Sequence, residues 1–296
     1  MKRFERIVKL WTRLRSLVLR AVEDVLGVEK RTRVTPQTPK SRPSIETHKD
    51  VDLPSSMAFD GLPAIYAIGD IHGRYDLLHR MLDAINHDCS EAATSEIKPQ
   101  VVFLGDYIDR GFQSKKVIDT LIALKDQPLF DTVFLKGNHE DVLQTFLKDS
   151  AIGGQWSSFG GRETLISYGV APPRSLTDAD DWLRAHHELR EKIPESHVAF
   201  LKSLKTFHQI GPFGFVHAGV RSGIPFEEQK DADRLWIRDE FLGAQKREDL
   251  FIIHGHSPTD VPYADHRRIN VDTGAYYSGR LTAVKLDANK ALFLTI

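Results

Sequence analysis

Three times within its first half, this chain runs a short apolar segment into a glycine-bounded polar loop and then into a helix with one apolar face. Residues 64–68 lead into Gly69-Asp70-Ile71-His72-Gly73, and Leu77, Leu78, Met81, Leu82 and Ile85 follow at helical spacing. Residues 101–104 lead into the loop 105–111, then past Ser114, a predicted N-cap, to Val117, Ile118, Leu121 and Ile122. Residues 132–135 lead into Gly137-Asn138-His139-Glu140 and a helix carrying Val142, Leu143, Phe146 and Leu147. A strand–loop–helix unit repeated in this way predicts an α/β fold whose working residues stand just beyond the strand ends.

Strands are expected again at 214–216, 250–253, 268–271 and 281–286, the last two joined by a glycine-rich turn. Residues 141–210 read as mostly helical, broken at Gly153-Gly154, Gly160-Gly161 and Pro172-Pro173, and are expected to form a helical cap inserted over the site. The globular body so defined is 62–296. Ahead of it, Phe4, Ile7, Val8, Trp11, Leu14, Val18, Val22 and Val25 share one helical face, while Lys2, Arg3, Arg6, Lys9, Arg13, Arg15 and Arg20 make the same segment cationic. Residues 1–27 are thus expected to be a basic amphipathic helix, suited to an anionic membrane surface, to a partner or to the body itself. Residues 28–61, with Pro36, Pro39, Pro43 and Pro54 and no periodicity, read as a disordered linker.

Charge and cysteine usage narrow the chemistry. Lys and Arg number 40 against 41 acidic residues, so no global field favours nucleic acid and none is expected as a partner. Cys89 is the single cysteine and can form neither an internal disulfide nor a zinc-finger pair. The segment after it lacks the glycines and arginine of a thiolate-based phosphate loop. A reducing, cytoplasmic setting is expected, with no membrane span and no secretory signal.

The loops gather metal-ligating residue types. Asp70 and His72, two apart on extended chain, point to the same side and can share one ion. Asp106 offers two carboxylate oxygens, as a bridge between two ions needs. Asn138 and His217 can complete a second ion, along with one of His254 and His256, between which local chemistry does not choose. Carboxylate, amide oxygen and imidazole together suit Mn²⁺, with Fe²⁺ or Zn²⁺ as alternatives.

In order, Gly69-Asp70-Ile71-His72-Gly73, Gly105-Asp106-Tyr107-Ile108-Asp109-Arg110-Gly111 and Gly137-Asn138-His139-Glu140 resemble the three-part signature of the phosphoprotein phosphatases, a branch of the calcineurin-like metallophosphoesterases. Phe215-Val216-His217-Ala218-Gly219 and Ile253-His254-Gly255-His256-Ser257-Pro258 resemble that family's later histidine motifs. Trp156 with Gly160-Gly161, Leu235-Trp236-Ile237-Arg238 and Val271-Asp272-Thr273-Gly274 are most similar to the bacterial and bacteriophage lambda-type enzymes. Phe159 departs from that group, which often carries Asn there. The resemblance implies a four-layer sandwich, two mixed β-sheets flanked by helices, with a helical cap.

It further implies two divalent ions on Asp70, His72, Asp106, Asn138, His217 and His256, and selects His256 over His254 as the ligand. Water activated between them would attack phosphorus in line, with no covalent enzyme intermediate. Arg110 and Arg238 would hold the non-bridging oxygens, and His139, oriented by Asp109, would protonate the departing oxygen. The implied activity is phosphoric monoester hydrolysis, on phosphoserine or phosphothreonine in proteins, at a site open enough to admit phosphotyrosine and small phosphoesters. The same signature resembles the symmetrical diadenosine tetraphosphate hydrolases. A phosphate-binding scaffold without turnover, docked on a membrane by its basic helix, is the non-enzyme alternative.

Overall fold

A computed structural model describes residues 46–47, 51–53, 63–91, 97–245, 249–287 and 290–296. The expected basic helix at 1–27 and most of the expected linker lie outside these residues. The described strands are β1 (Glu46–Thr47), β2 (Val51–Asp52), β3 (Ile65–Ile68), β4 (Gln100–Phe103), β5 (Asp131–Phe134), β6 (Phe207–Ile210), β7 (Phe213–Val216), β8 (Phe251–His254), β9 (Tyr263–Ala264), β10 (Arg268–Asn270), β11 (Thr282–Asp287) and β12 (Lys290–Thr295).

Two mixed sheets form from them. One runs β1-β12-β11-β3-β4-β5, with β2 also on β12, and the other runs β6-β7-β8-β10-β9. In the first sheet β3, β4 and β5 are parallel; in the second β7, β8 and β10 are parallel. Strand alternation explains why both sheets are buried on two sides. Ile65, Ala67 and Val102 face inward to meet Phe213, Phe215, Phe251 and Ile253 from the second sheet in one core. Tyr66, Ile68, Val101 and Phe103 face outward into a second core under helices, while Val216 and Ile252 enter a third with Ile237 and Phe241. The result is the helix–sheet–sheet–helix order of a four-layer sandwich.

Helices α1 (Tyr75–Glu91), α2 (Ser114–Ala123) and α3 (Asn138–Phe146) follow the three parallel strands as their apolar spacing requires. Helices α4 (Gly153–Ser158), α5 (Gly161–Ser167), α6 (Ala179–Lys192) and α7 (Glu195–Ser203) fill the segment expected to be a cap. That segment packs on the body. Trp156, Leu165, Trp182, Leu189 and Phe200 share one core with Leu78, Ile118 and Phe103, because their bulk supplies the apolar cover of the outer sheet face.

The linker expectation also needs correction. Glu46–Thr47 and Val51–Asp52 pair antiparallel with β12, so the sheet recruits chain from within 28–61. Each strand is two residues long, too short to carry a periodicity.

Candidate metal centre

The parallel strands of both sheets end at one place, and their carboxyl ends carry the site. Asp70 follows β3, Asp106 follows β4, Asn138 opens α3 after β5, His217 follows β7 and His256 follows β8. With His72, Asp109 and His139, all of these side chains are buried. Tight turns aim them inward: His72, Asp106, Asp109, Arg110 and His256 are the five non-glycine residues with positive φ among the described residues, between 47° and 69°. Such conformations cost on the order of 1 kcal/mol each and persist where surrounding structure over-determines them.

Glycine is needed where backbone crowds the carboxylates. A Cβ on Gly137 would lie 2.0 Å from Asp106 Oδ1, and one on Gly255 would lie 2.2 Å from Asp70 Oδ1.

Two groups among the described residues could each hold a cation: His72, Asp106 and His139, and Asp106, His217 and His256. Asp106 is common to both. Its Oδ2 faces His72 Nε2 at 3.5 Å and His139 Nε2 at 3.7 Å, while its Oδ1 faces His217 Nε2 at 3.4 Å. Asp70 belongs to neither group. Its carboxylate accepts the His256 N–H, at 3.2 Å from each oxygen, and faces Asp272.

Backbone carbonyls fix the imidazoles. His72 Nδ1 lies 2.8 Å from Ile108 O and His217 Nδ1 lies 3.0 Å from Leu104 O. A carbonyl only accepts, so each Nδ1 carries the proton, and in the neutral ring Nε2 presents a lone pair to the centre. His217 Nε2 then faces the Asn138 Oδ1 acceptor at 2.9 Å, as ligand atoms do around a cation. His256 Nε2 is buried with no hydrogen-bond partner.

Electrostatics point the same way. Burial, Asp272 and Asp106 push Asp70 well above the usual carboxylate range, and burial likewise raises Asp272. Burial would raise Asp106 too, but His217 and His139 outweigh it and hold this carboxylate well below that range. Burial, reinforced by His139, holds His72 well below its ordinary value; burial and His217 push His256 down to about 2. Neutral imidazoles beside three crowded carboxylates are the donor set that divalent cations require. The residues present fit such ions.

The remaining sequence-predicted residues divide. His139 Nδ1 is 2.7 Å from Asp109 Oδ2; burial opposes charge on the ring, but Asp106 and Asp109 prevail and raise its pKa. Arg110 sits at the rim, its guanidinium 4.6 Å from the centre of the Tyr276 ring. Arg238 is exposed, with Nη1 3.5 Å from the Ser257 hydroxyl beside His256. His254 is bound instead to Arg268 Nη1 at 2.9 Å and to Gly255 O at 2.9 Å, outside both groups.

Sequence reasoning assigned no role to three further contributors. Glu140 is fully buried and accepts four backbone N–H groups, Asp106 and Gly137 at 2.9 Å, Tyr107 at 2.8 Å and Ile108 at 3.3 Å. Its position three residues after Gly137, where a helix-capping glutamate reaches back, is the signal that could have found it. Asp272 follows β10 much as the predicted ligands follow their strands. The third, Thr164, donates to Asp109 Oδ1 at 2.6 Å, and no local signal marks it.

Fold and site together define an α/β enzyme that hydrolyses phosphoesters, with two adjacent side-chain groups that could each hold a divalent cation. The chain belongs to the calcineurin-like phosphoesterase family, whose model matches residues 63–290. It is 25% identical over 237 residues to the asymmetrical bis(5'-nucleosyl)-tetraphosphatase PrpE of Anoxybacillus flavithermus, covering 74% of this chain and 88% of that one. It is 27% identical over 232 residues to the PrpE of Halalkalibacterium halodurans, with the same coverage, 74% and 88%. Among solved structures, one described only as a candidate diadenosine tetraphosphatase superposes with a TM-score of 0.53 at 17% identity, covering 82% of this chain and 95% of the other. A cold-active protein-tyrosine phosphatase of a psychrophilic Shewanella species superposes at 0.50 with 16% identity, covering 79% and 78%. At such identities these two show the shared fold. No helix among the described residues is long and apolar enough to cross a membrane.

Proposed function

We propose that the chain is a phosphoprotein phosphatase of the lambda-like bacterial branch, a phosphoric monoester hydrolase acting on phosphoserine, phosphothreonine or phosphotyrosine. The observation that carries the two-metal hydrolase reading is the disposition of Asp106, whose two oxygens face different histidine groups. The lambda-like branch is supported by the resemblance of Trp156 with Gly160-Gly161 and of Leu235-Trp236-Ile237-Arg238. Asp70, His72 and Asp106 would hold one cation, and Asp106, Asn138, His217 and His256 the other, with Mn²⁺ the best-suited metal. Ions held there would acidify water and offset phosphate charge.

The chain's own groups do the rest. Arg110 and Arg238 bind non-bridging oxygens with planar, charge-assisted hydrogen bonds, and so orient phosphorus over the centre. His139 donates its Nε2 proton to the departing oxygen, while Asp109, anchored by Trp156 Nε1 at 3.0 Å and by Thr164, keeps the ring from turning. Residues 1–27 would hold the body at an anionic membrane surface, a reading supported by their charge and apolar spacing.

A second reading is favoured by the relatives, which are named for dinucleoside tetraphosphate hydrolysis, asymmetrical rather than the symmetrical kind expected from the sequence. Turnover of phosphopeptides against dinucleoside tetraphosphates, with Mn²⁺ added, tests the two. A kcat/KM higher for the dinucleotide by tenfold or more would overturn the phosphoprotein assignment.

A further inference from the structure

Aromatic rings form an unbroken arc around the metal centre. Tyr276 meets His72 at 5.4 Å between ring centres, His72 meets His139 at 4.6 Å, His139 meets Phe159 at 6.1 Å, Phe159 meets Trp236 at 5.9 Å and Trp236 meets His256 at 6.3 Å. The histidines are buried, but the outer rings are not. Trp236 is 39% exposed, Tyr276 38% and its neighbour Tyr277 56%. Large rings left open to water beside a polar reaction centre are surface that a bound ligand would cover.

Phe159 is held in place rather than carried on a loose lid. The next residue, Gly160, accepts the Arg110 N–H at 3.0 Å, which ties this loop to the phosphate-side loop. Phe159 also stands against His139, the group assigned to protonate the departing oxygen. Whatever that oxygen carries therefore emerges beside Phe159 and Trp236. The apolar side chain at 159 is this chain's own departure from the enzymes it resembles, where an amide is common.

We propose that Phe159 and Trp236 form a stacking wall that selects phosphoesters whose leaving group carries a flat aromatic ring. Tyrosyl and nucleoside groups both offer such a ring, since each presents a π-face and buries large apolar area on an aromatic wall. The inference rests on the proposed reading of His139, and it names the substrate class of that same site.

Calorimetry on the metal-loaded protein tests it without turnover. Phenylphosphonate and cyclohexylphosphonate are similar in apolar bulk, but only the first is flat. Phenylphosphonate is expected to bind roughly tenfold tighter, in keeping with the strength of ring stacking. In Trp236→Ala and in Phe159→Asn, each checked for an unchanged melting temperature, that advantage should fall to about twofold or less. Equal affinities in the unmodified protein, or an advantage undiminished in both variants, would overturn the proposal.

Kinetics then identify the source of the ring. Adenosine 5'-phosphate against ribose 5-phosphate, with the same leaving alcohol, reports on a nucleoside, and phosphotyrosine peptides against phosphoserine peptides report on a tyrosyl ring. Because a phenol leaves more readily than a serine hydroxyl in any enzyme, the wall is supported by a preference in the first pair or by a phosphotyrosine preference that shrinks in Trp236→Ala; the absence of both rejects it. Failure of the His139 reading would look different, as an equal loss in His139→Asn on esters with good and poor leaving groups while the ring preference of the unmodified protein stays.

Discussion

His139 Nδ1 lies 2.7 Å from Asp109 Oδ2, and the Trp156 indole N–H reaches that same oxygen at 3.0 Å. A buried carboxylate is thus clamped so that one imidazole cannot rotate, with the other ring nitrogen turned to the centre. His139→Asn should therefore slow esters with poor leaving groups by about 100-fold or more, and activated aryl phosphates much less. Trp156→Phe removes one hydrogen bond along with part of a buried ring, and should reproduce the same substrate dependence at roughly a tenth of the severity. Steady-state rates across leaving groups of graded pKa decide this; an equal loss on all of them would give His139 a purely structural role.

Asp106 serves both histidine groups, so Asp106→Asn should weaken two ions together. Metal analysis after dialysis should find fewer than two equivalents per chain, with turnover down by about 100-fold or more. Two tightly held ions with near-normal turnover would remove Asp106 from the centre.

Glu140 accepts four backbone N–H groups without touching the centre. In Glu140→Gln an NH₂ group replaces one carboxylate oxygen and faces backbone donors, which should cost on the order of 3 kcal/mol in denaturant unfolding. Metal content should fall less than in Asp106→Asn, because the ligand side chains themselves remain.

Far from the site, Asp119 accepts from His197 Nε2 at 2.7 Å across α2 and α7. Burial raises its pKa, but the His197 bond and charge together with Lys115 outweigh this and leave Asp119 below its ordinary value of 3.8. A depressed acid stabilises the fold above its unfolded pKa, and that contribution is lost as pH falls through the folded value. Asp119→Asn should lower the melting temperature by roughly 2 °C at pH 7, with the difference closing as pH falls below the ordinary carboxylate value of 3.8. An offset that persists at low pH would mean the effect is not electrostatic.

Deleting residues 1–27 should leave metal content and turnover of a small aryl phosphate unchanged, since every catalytic motif lies later in the chain. The full chain should sediment with anionic vesicles at low salt and less so in 0.5 M salt, and the truncated chain should not. No sedimentation of the full chain would end the membrane reading. A longer deletion, to Ala58, would also strip β1 and β2 from the edge of β12, so a loss of stability there would say nothing about membranes.

Local pattern determined much of this protein. Apolar runs ending in Gly69-Asp70, Gly105-Asp106 and Gly137-Asn138 specify strand, loop and helix within a few residues, because strand alternation, tight turns and helical stripes are short-range properties of the chain. The α/β class and the residues that gather at the strand ends were therefore legible. Pairings over long separations were not. β12 was missed although it lies beside β11, and so were β1 and β2, whose partners are more than 230 residues away. The helices of 141–210 were readable as helices, but only the tertiary structure shows that they pack into the outer core while Trp156, Phe159 and Thr164 reach the site. Asp272 facing Asp70, Glu140 holding the Asp106 turn, and Trp156 with Thr164 on Asp109 likewise depend on which loops the two sheets bring together. Sequence specified the donors; tertiary structure decided which buried charges face one another, because that depends on distances across the fold rather than along the chain.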